Sequence, residues 1–163
     1  MNDMAAGSGP HGRVVVGVDG TPNSLAALRR AVYQARKHGA PLNIVYVIPA
    51  GASEAAEASG CEMLEMALRH VTPDATGGLA DRIVARGEPG EVLVRLSAQA
   101  SLLVIGARIH SEYGNLLGGD VMPYCLAWAS CPVDICADQR AHGGQPAHAA
   151  AARGSRRARS DAR

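Results

Sequence analysis

The chain contains no phenylalanine, one tryptophan and four tyrosines, yet 47% of its residues are hydrophobic. Any core it builds is therefore aliphatic, made of Val, Leu, Ile, Ala and Met. No apolar run reaches the ~18 residues that a membrane span requires. The opening "MNDMAAGSGPHGR" also lacks the basic-then-apolar layout of a secretory signal. A cytoplasmic protein is expected. The four cysteines, Cys61, Cys125, Cys131 and Cys136, form no CxxC and no zinc-type pairing with histidine. Plain buried or half-buried thiols are expected instead, since Cys125 and Cys136 fall in apolar segments where a reduced Cys behaves as a small hydrophobe. Three catalytic signatures are missing as well: a GxSxG elbow, an HExxH helix and a GxxxxGK(S/T) phosphate loop. His38 and His70 fall at helix ends, where a cation favours the dipole. His110 lies in a glycine-rich loop without the partners that a catalytic histidine needs. Hydrolytic, redox and metal chemistry are not expected.

A chain of 163 residues suits one domain. Its net charge of +1 hides an uneven split, because residues 1–137 carry 10 Lys+Arg against 13 Asp+Glu (−3) and residues 138–163 carry 6 against 2 (+4). The body is mildly acidic and the end basic. Residues 1–12 are Gly-, Ala-, Ser- and Asn-rich without periodicity and read as a flexible arm. Residues 138–163, rich in Ala, Gly and Arg, read as a disordered basic tail. Contact of that tail with nucleic acid or membrane is not expected, since its composition reads first as a solvated appendage.

Between the two lie alternating elements. "RVVVGVD" is a continuous β-branched run, suited to a strand buried on both faces. Thr21 and Pro22 then start a helix with a hydroxyl cap and a proline in the first turn. Leu25, Leu28, Val32 and Ala35 recur at helical spacing, and Lys37, His38 and Gly39 end it. "PLNIVYVIP" is a second strand. Residues 54–70 are helical, with Met63, Leu64, Met66 and Ala67 available for a core face and Gly60 weakening the pattern. "LADRIVARG" is a third, alternating strand, "EPGEVLVRLSAQA" a short helix and "SLLVIGA" a fourth strand. "GDVMPYCLAWAS" is a last helix and "CPVDICA" a fifth strand. Strands alternating with helices, mostly uniformly apolar, give an α/β fold with a doubly wound five-stranded parallel sheet and helices on both faces.

In such sheets ligands bind beyond the carboxyl ends of the strands, where the strand order reverses. The loop "GVDGTP" after the first strand and "VIGARIHSEYGNLLGGDV" after the fourth are placed there. Asp19 would face the glycine-rich loop across the crevice. It has two readings: a contact to a ribose or adenine edge, or a bond to the backbone of its own turn.

"VVVGVDGTPNSLAALRRAVYQARKHGAPLNIVYVIP" resembles the opening of the universal stress protein family. "GEPGEVLVRLSAQASLLVIGA", the glycine-rich loop and "YCLAWASCPVDIC" continue the likeness over residues 13–137. The resemblance implies a Rossmann-like domain, similar to adenine nucleotide alpha hydrolases, and a homodimer joined through the last strand. It also implies a role in stress survival and signalling, with possible protein partners, rather than enzymatic activity. Asp134 within that last strand, where relatives often carry an apolar residue, is one way to blunt an edge.

One branch of the family resembles an ATP-binding module, with a loop of glycine, two residues, glycine, nine residues, glycine, then Ser or Thr. On this sequence the first and third glycines are Gly106 and Gly119, but the second falls on Ile109 and the hydroxyl on Asp120. A β-branched residue strongly resists positive φ. A carboxylate only accepts hydrogen bonds and repels phosphate, by roughly 4 kcal/mol for one charge pair at ~4 Å and an effective dielectric of ~20. A bridging Mg²⁺ would reverse that sign. Pro123 removes a further N–H from the helix that should point at an anion. Asp120 is alternatively a helix-start acid that fills the anion site from within, paired with Arg108. The resemblance also carries over Asp19 and, near the adenine, Val47. Ser101, where relatives often have Asp, is expected to be neutral surface variation. The candidate cofactor-binding set is Asp19, Val47, Gly106, Arg108, Gly119 and Asp120. The expected function is a non-catalytic regulatory or interaction module with weakened or lost nucleotide binding. Its alternative is an ATP-binding sensor, ATP being the one cofactor the resemblance admits.

Overall fold

A computed structural model describes residues 12–74, 80–107 and 121–138. The elements are β1 (Val14–Gly17), α1 (Pro22–His38), β2 (Leu42–Ile48), α2 (Glu54–Val71), β3 (Ala80–Arg86), α3 (Pro89–Leu96), β4 (Leu102–Gly106), α4 (Val121–Trp128) and β5 (Val133–Cys136). The strands form one sheet in the order β3-β2-β1-β4-β5, with each neighbouring pair parallel.

The uniformly apolar runs serve two faces because side chains alternate along a strand. Val14 and Val16 of β1, Leu42 and Ile44 of β2 and Val104 of β4 join one cluster with α1 and α2. Val15, Val45, Leu103 and Ile105 join the other, with α3 and Cys125 of α4. Val15, Val16, Ile44 and Leu103 are all 0% exposed, and burying each stabilises the fold by about 1.5–3 kcal/mol.

The helix signals of the sequence are realised. Thr21 Oγ1 accepts from the Ser24 amide at 3.3 Å, Pro22 opens α1 and Gly39 closes it in the left-handed region. Ser53 caps α2 in the same way. Gly60 costs α2 about 1 kcal/mol of propensity, but a Cβ there would lie 2.8 Å from Tyr46 Cδ1. Its absence lets the helix approach the sheet. Met66, expected on the core face, is 67% exposed. It lies about 200° around the helix from Leu64 at 3.6 residues per turn, while Gly60, Leu64 and Ala67 share the buried face. Cys61 is exposed too, unlike the expectation for the cysteines.

Polar groups act at the edge strand β5 and at the start of the central pair β1 and β4. Asp134 of β5 accepts from Arg30 Nε of α1 at 2.8 Å, so its charge is paired. Ser101 is more than neutral surface: its amide donates to the Arg13 carbonyl at 2.9 Å and its hydroxyl to the Gly12 carbonyl, tying the start of β1 to β4. The proposed arm (1–12) and tail (138–163) lie almost wholly outside the described residues. Among the described residues no helix is long and apolar enough to cross a membrane.

Candidate functional site

From β1 the chain crosses to β2 on one side, while β4 and β5 lie on the other. This reversal opens a crevice beyond the carboxyl ends of β1 and β4. The Val18 amide donates to the Val45 carbonyl at 2.8 Å, holding the chain in the sheet for one residue past β1 and delivering Asp19 to the crevice mouth.

The mouth is organised by a compact hydrogen-bond network. Asp19 Oδ1 accepts from the Thr21 amide at 3.0 Å and from the Thr21 hydroxyl at 2.6 Å. The Asp19 amide donates to Ser24 Oγ at 3.2 Å, and that hydroxyl donates to the Thr21 carbonyl at 2.9 Å. The turn-bond reading of Asp19 is thus observed, and it fixes where the carboxylate sits.

Behind the mouth lies a cleft of about 190 Å³. Val45 and Val47 of β2, Ile105 of β4, Pro89 and Leu93 of α3 and Met122 of α4 wall it, and Asp19, Thr21 and Ser24 form its polar rim. Apolar walls with a few convergent polar groups are the usual make-up of a small-molecule site. The volume is below the ~300 Å³ at which ligand pockets ordinarily begin. The described walls hold room for a group the size of a heterocyclic base.

Gly106 borders the same cleft, and its lack of a side chain has a packing cause. A Cβ there would lie 2.6 Å from the Asn23 carbonyl carbon and 2.7 Å from the Ser24 amide nitrogen. The end of β4 thus passes directly against the first turn of α1. Asn23 ties a third segment to this point, because its side-chain oxygen accepts from the Asp138 amide, just after β5, at 2.8 Å.

Three of the sequence-expected residues, Asp19, Val47 and Gly106, come together at this cleft. Arg108, Gly119 and Asp120 lie outside the described residues, as do Ile109 and His110. Sequence reasoning missed Pro89, Leu93, Ile105 and Met122, which carry no motif. The only signal was their place at strand and helix ends facing the reversal. It also missed Thr21 and Ser24 as rim groups, reading Thr21 only as a cap.

Reactive side chains are muted around this framework. Burial, and secondarily Cys131, pushes the Cys125 thiol from 9.0 up to about 11. Burial, then Asp134, raises Cys136 as well, against the lowering effect of Arg30. Both remain neutral thiols at physiological pH, unlike a nucleophilic cysteine. Among the described residues no group of three His, Cys, Asp or Glu side chains is placed to hold a metal ion.

Comparison with known proteins fits this geometry. A profile of the Universal stress protein family matches residues 11–136. A universal stress protein of Mycolicibacterium smegmatis (strain ATCC 700084 / mc(2)155) is 32% identical over 147 residues, covering 79% of this chain and 50% of that protein. The chain thus spans about half the length of that relative. A universal stress protein solved in complex with cAMP is 28% identical, with a TM-score of 0.61 over 78% of this chain and 97% of its own. One from Archaeoglobus fulgidus is 26% identical, with a TM-score of 0.64 over 76% and 97%. Five parallel strands in this order, a cleft at their reversal and a family match across the folded region lead to one conclusion: the chain belongs to the universal stress protein family.

Proposed function

We propose that the protein is a non-catalytic regulatory module whose cleft retains a compartment for the base of an adenine nucleotide and has lost strong binding of a triphosphate. The observation that carries this reading is the apolar cleft at the strand reversal, with Val47 on its wall and the Asp19 carboxylate fixed at its rim. A base packs by dispersion against Val47, Leu93 and Ile105, while Asp19 accepts from hydroxyl or amine hydrogens of the nucleoside. In the family's loop pattern the positions assigned to the phosphates are where this sequence departs, with Ile109 in place of glycine and Asp120 in place of a hydroxyl. A relative bound to cAMP, a nucleotide with a single phosphate, supports the same division.

Absence of catalysis follows on this reading from the residues at hand. The rim offers hydroxyls and a carboxylate held in a turn, and the nearby thiols stay protonated. Output then passes through binding: of protein partners, or of a second copy paired along the edge strand β5, where Ile135 is 38% exposed. The ATP-sensor reading is the competitor, and it rests on the intact frame of Asp19, Val47 and Gly106.

The test separates the two. Freshly purified protein is heat-denatured and the released nucleotides are identified. ATP in near-stoichiometric amount would overturn the proposal, and its absence agrees with it. The double change Ile109→Gly with Asp120→Ser should then confer ATP binding. If it confers none, the cause assigned to the loss is wrong.

A further inference from the structure

The opposite end of the sheet carries a second feature, independent of the cleft. Helix α1 has Arg29, Arg30, Arg36 and Lys37 along its length and no Asp or Glu, in a chain whose first 137 residues are net acidic. Arg29, Val32, Tyr33, Arg36 and Lys37 line a hollow of about 430 Å³ closed on the far side by Val71 and Thr72 at the end of α2. Among the described residues no carboxylate lines it.

Three observations set these cations apart. First, four other arginines are matched, Arg30 with Asp134, Arg69 and Arg82 with Glu65, and Arg86 with Glu57, while Arg13 and Arg95 stand outside these pairs and away from the hollow. Among the described residues, Arg29, Arg36 and Lys37 take part in none of these pairs. Second, Tyr33 stands 56% exposed in their midst, with Arg30 Cζ and Lys37 Nζ each 6.0 Å from its ring centre. An aromatic held among cations is the kind of anchor that interfaces concentrate. Third, part of the lining is apolar, since Val32, only 8% exposed, and Val71 stand among the cations.

The ordinary explanation of basic residues near a helix C-terminus is the helix dipole. It accounts for Arg36, Lys37 and His38 in the last turn. It does not reach Arg29, two turns earlier, nor explain an exposed tyrosine beside a partly apolar lining.

We propose that this hollow is a docking site for an acidic polypeptide segment that inserts one apolar side chain between its carboxylates. Charge complementarity selects the acid, and the apolar lining of Val32 and Val71 selects the apolar residue. A nucleic acid fits less well, because phosphates need a continued cationic track and the hollow is a single basin. The site lies at the amino ends of the strands, whereas the nucleotide cleft lies at their carboxyl ends. Occupation of one leaves the other open.

The probe is a short fluorescein-labelled peptide with one leucine flanked on each side by glutamates, titrated by anisotropy with the full chain. Arg36→Glu with Lys37→Glu should weaken its binding at least about tenfold, as charge reversal at a complementary interface does. Arg36→Gln with Lys37→Gln should give a smaller loss, and added salt should weaken the wild type more than the reversed variant. The arginine-rich tail is present in every variant, so binding that survives charge reversal belongs to the tail and overturns the proposal. The proposal also fails if glutamine-for-glutamate peptide binds equally, or if labelled single-stranded DNA binds more tightly than the acidic peptide. Adenosine binding, which uses the far end of the sheet, should be unchanged in the glutamine variant, and its melting should fall only by the small loss of two cations from the last turn of α1.

Discussion

Substituting Gly106 by alanine is expected to disable the cleft and loosen the fold together. The added Cβ would meet the Asn23 carbonyl carbon at 2.6 Å, where ordinary contact begins at 3.4 Å, so something must move by about 0.8 Å. The obstructing atoms are backbone of the first turn of α1 and cannot rotate away. Either the helix shifts as a body or the end of β4 retreats. A shift of α1 disturbs Ala27, Leu28 and Ala31, all 0% exposed. It also disturbs the Thr21 and Ser24 rim, which is built from the same turn. Forced overpacking of this kind costs about 1–3 kcal/mol, and a rigid backbone obstacle places Gly106→Ala at the upper end. At roughly 3–6 °C per kcal/mol for a domain of this size, a loss of about 2–3 kcal/mol should lower the melting temperature by about 6–18 °C. Differential scanning fluorimetry reads the melt, and calorimetric titration with AMP reads the cleft, where binding should be lost. Gly51→Ala is the control, since a Cβ there meets nothing within 4 Å. A Gly106→Ala protein that melts with the control and still binds AMP would refute the packing account of this glycine.

Thr21→Ala removes the cap of α1 and the 2.6 Å bond to Asp19. It should destabilise the fold by about 1 kcal/mol in urea unfolding and weaken AMP binding by more than that loss alone explains. Cys125 gives an alkaline signature. Its folded pKa of about 11 exceeds the ordinary 9.0, so between these values the unfolded state binds fewer protons and stability falls as pH rises. That contribution is complete below about pH 9 and lost by about pH 11, on the order of 2–3 kcal/mol. Denaturation curves across that window should flatten in Cys125→Ala. Asp134→Val leaves Arg30 without its 2.8 Å partner and makes all four residues of the edge strand β5 apolar. Light scattering should show greater self-association than in the wild type.

Much of the fold was legible in sequence because its signals are local and agree with one another. The buried runs "RVVVG" and "SLLVIG" became central strands, the Thr21 and Pro22 start became a capped helix, and Asp19 emerged at the reversal. Legibility ended where tertiary contact decides the outcome. Met66 has the right composition for a core face but the wrong angle. Gly60 counts against a helix by propensity, and only the approach to Tyr46 explains its tolerance. Gly106 has the place of a phosphate-loop glycine in the sequence pattern. Its space is in fact taken by Asn23 and Ser24, a neighbour set that no local motif encodes. Likewise Leu93 and Met122 join the cleft only through the packing of α3 and α4 over the sheet.

The most direct test of the retained base compartment and the lost triphosphate site is calorimetric titration of the full chain with AMP and with Mg-ATP in the same buffer. The account predicts measurable AMP binding at least about tenfold tighter than ATP, a gap of ~1.4 kcal/mol, abolished for AMP by Leu93→Arg in the cleft wall. Mg-ATP binding as tight as AMP, or no binding of either, would contradict it.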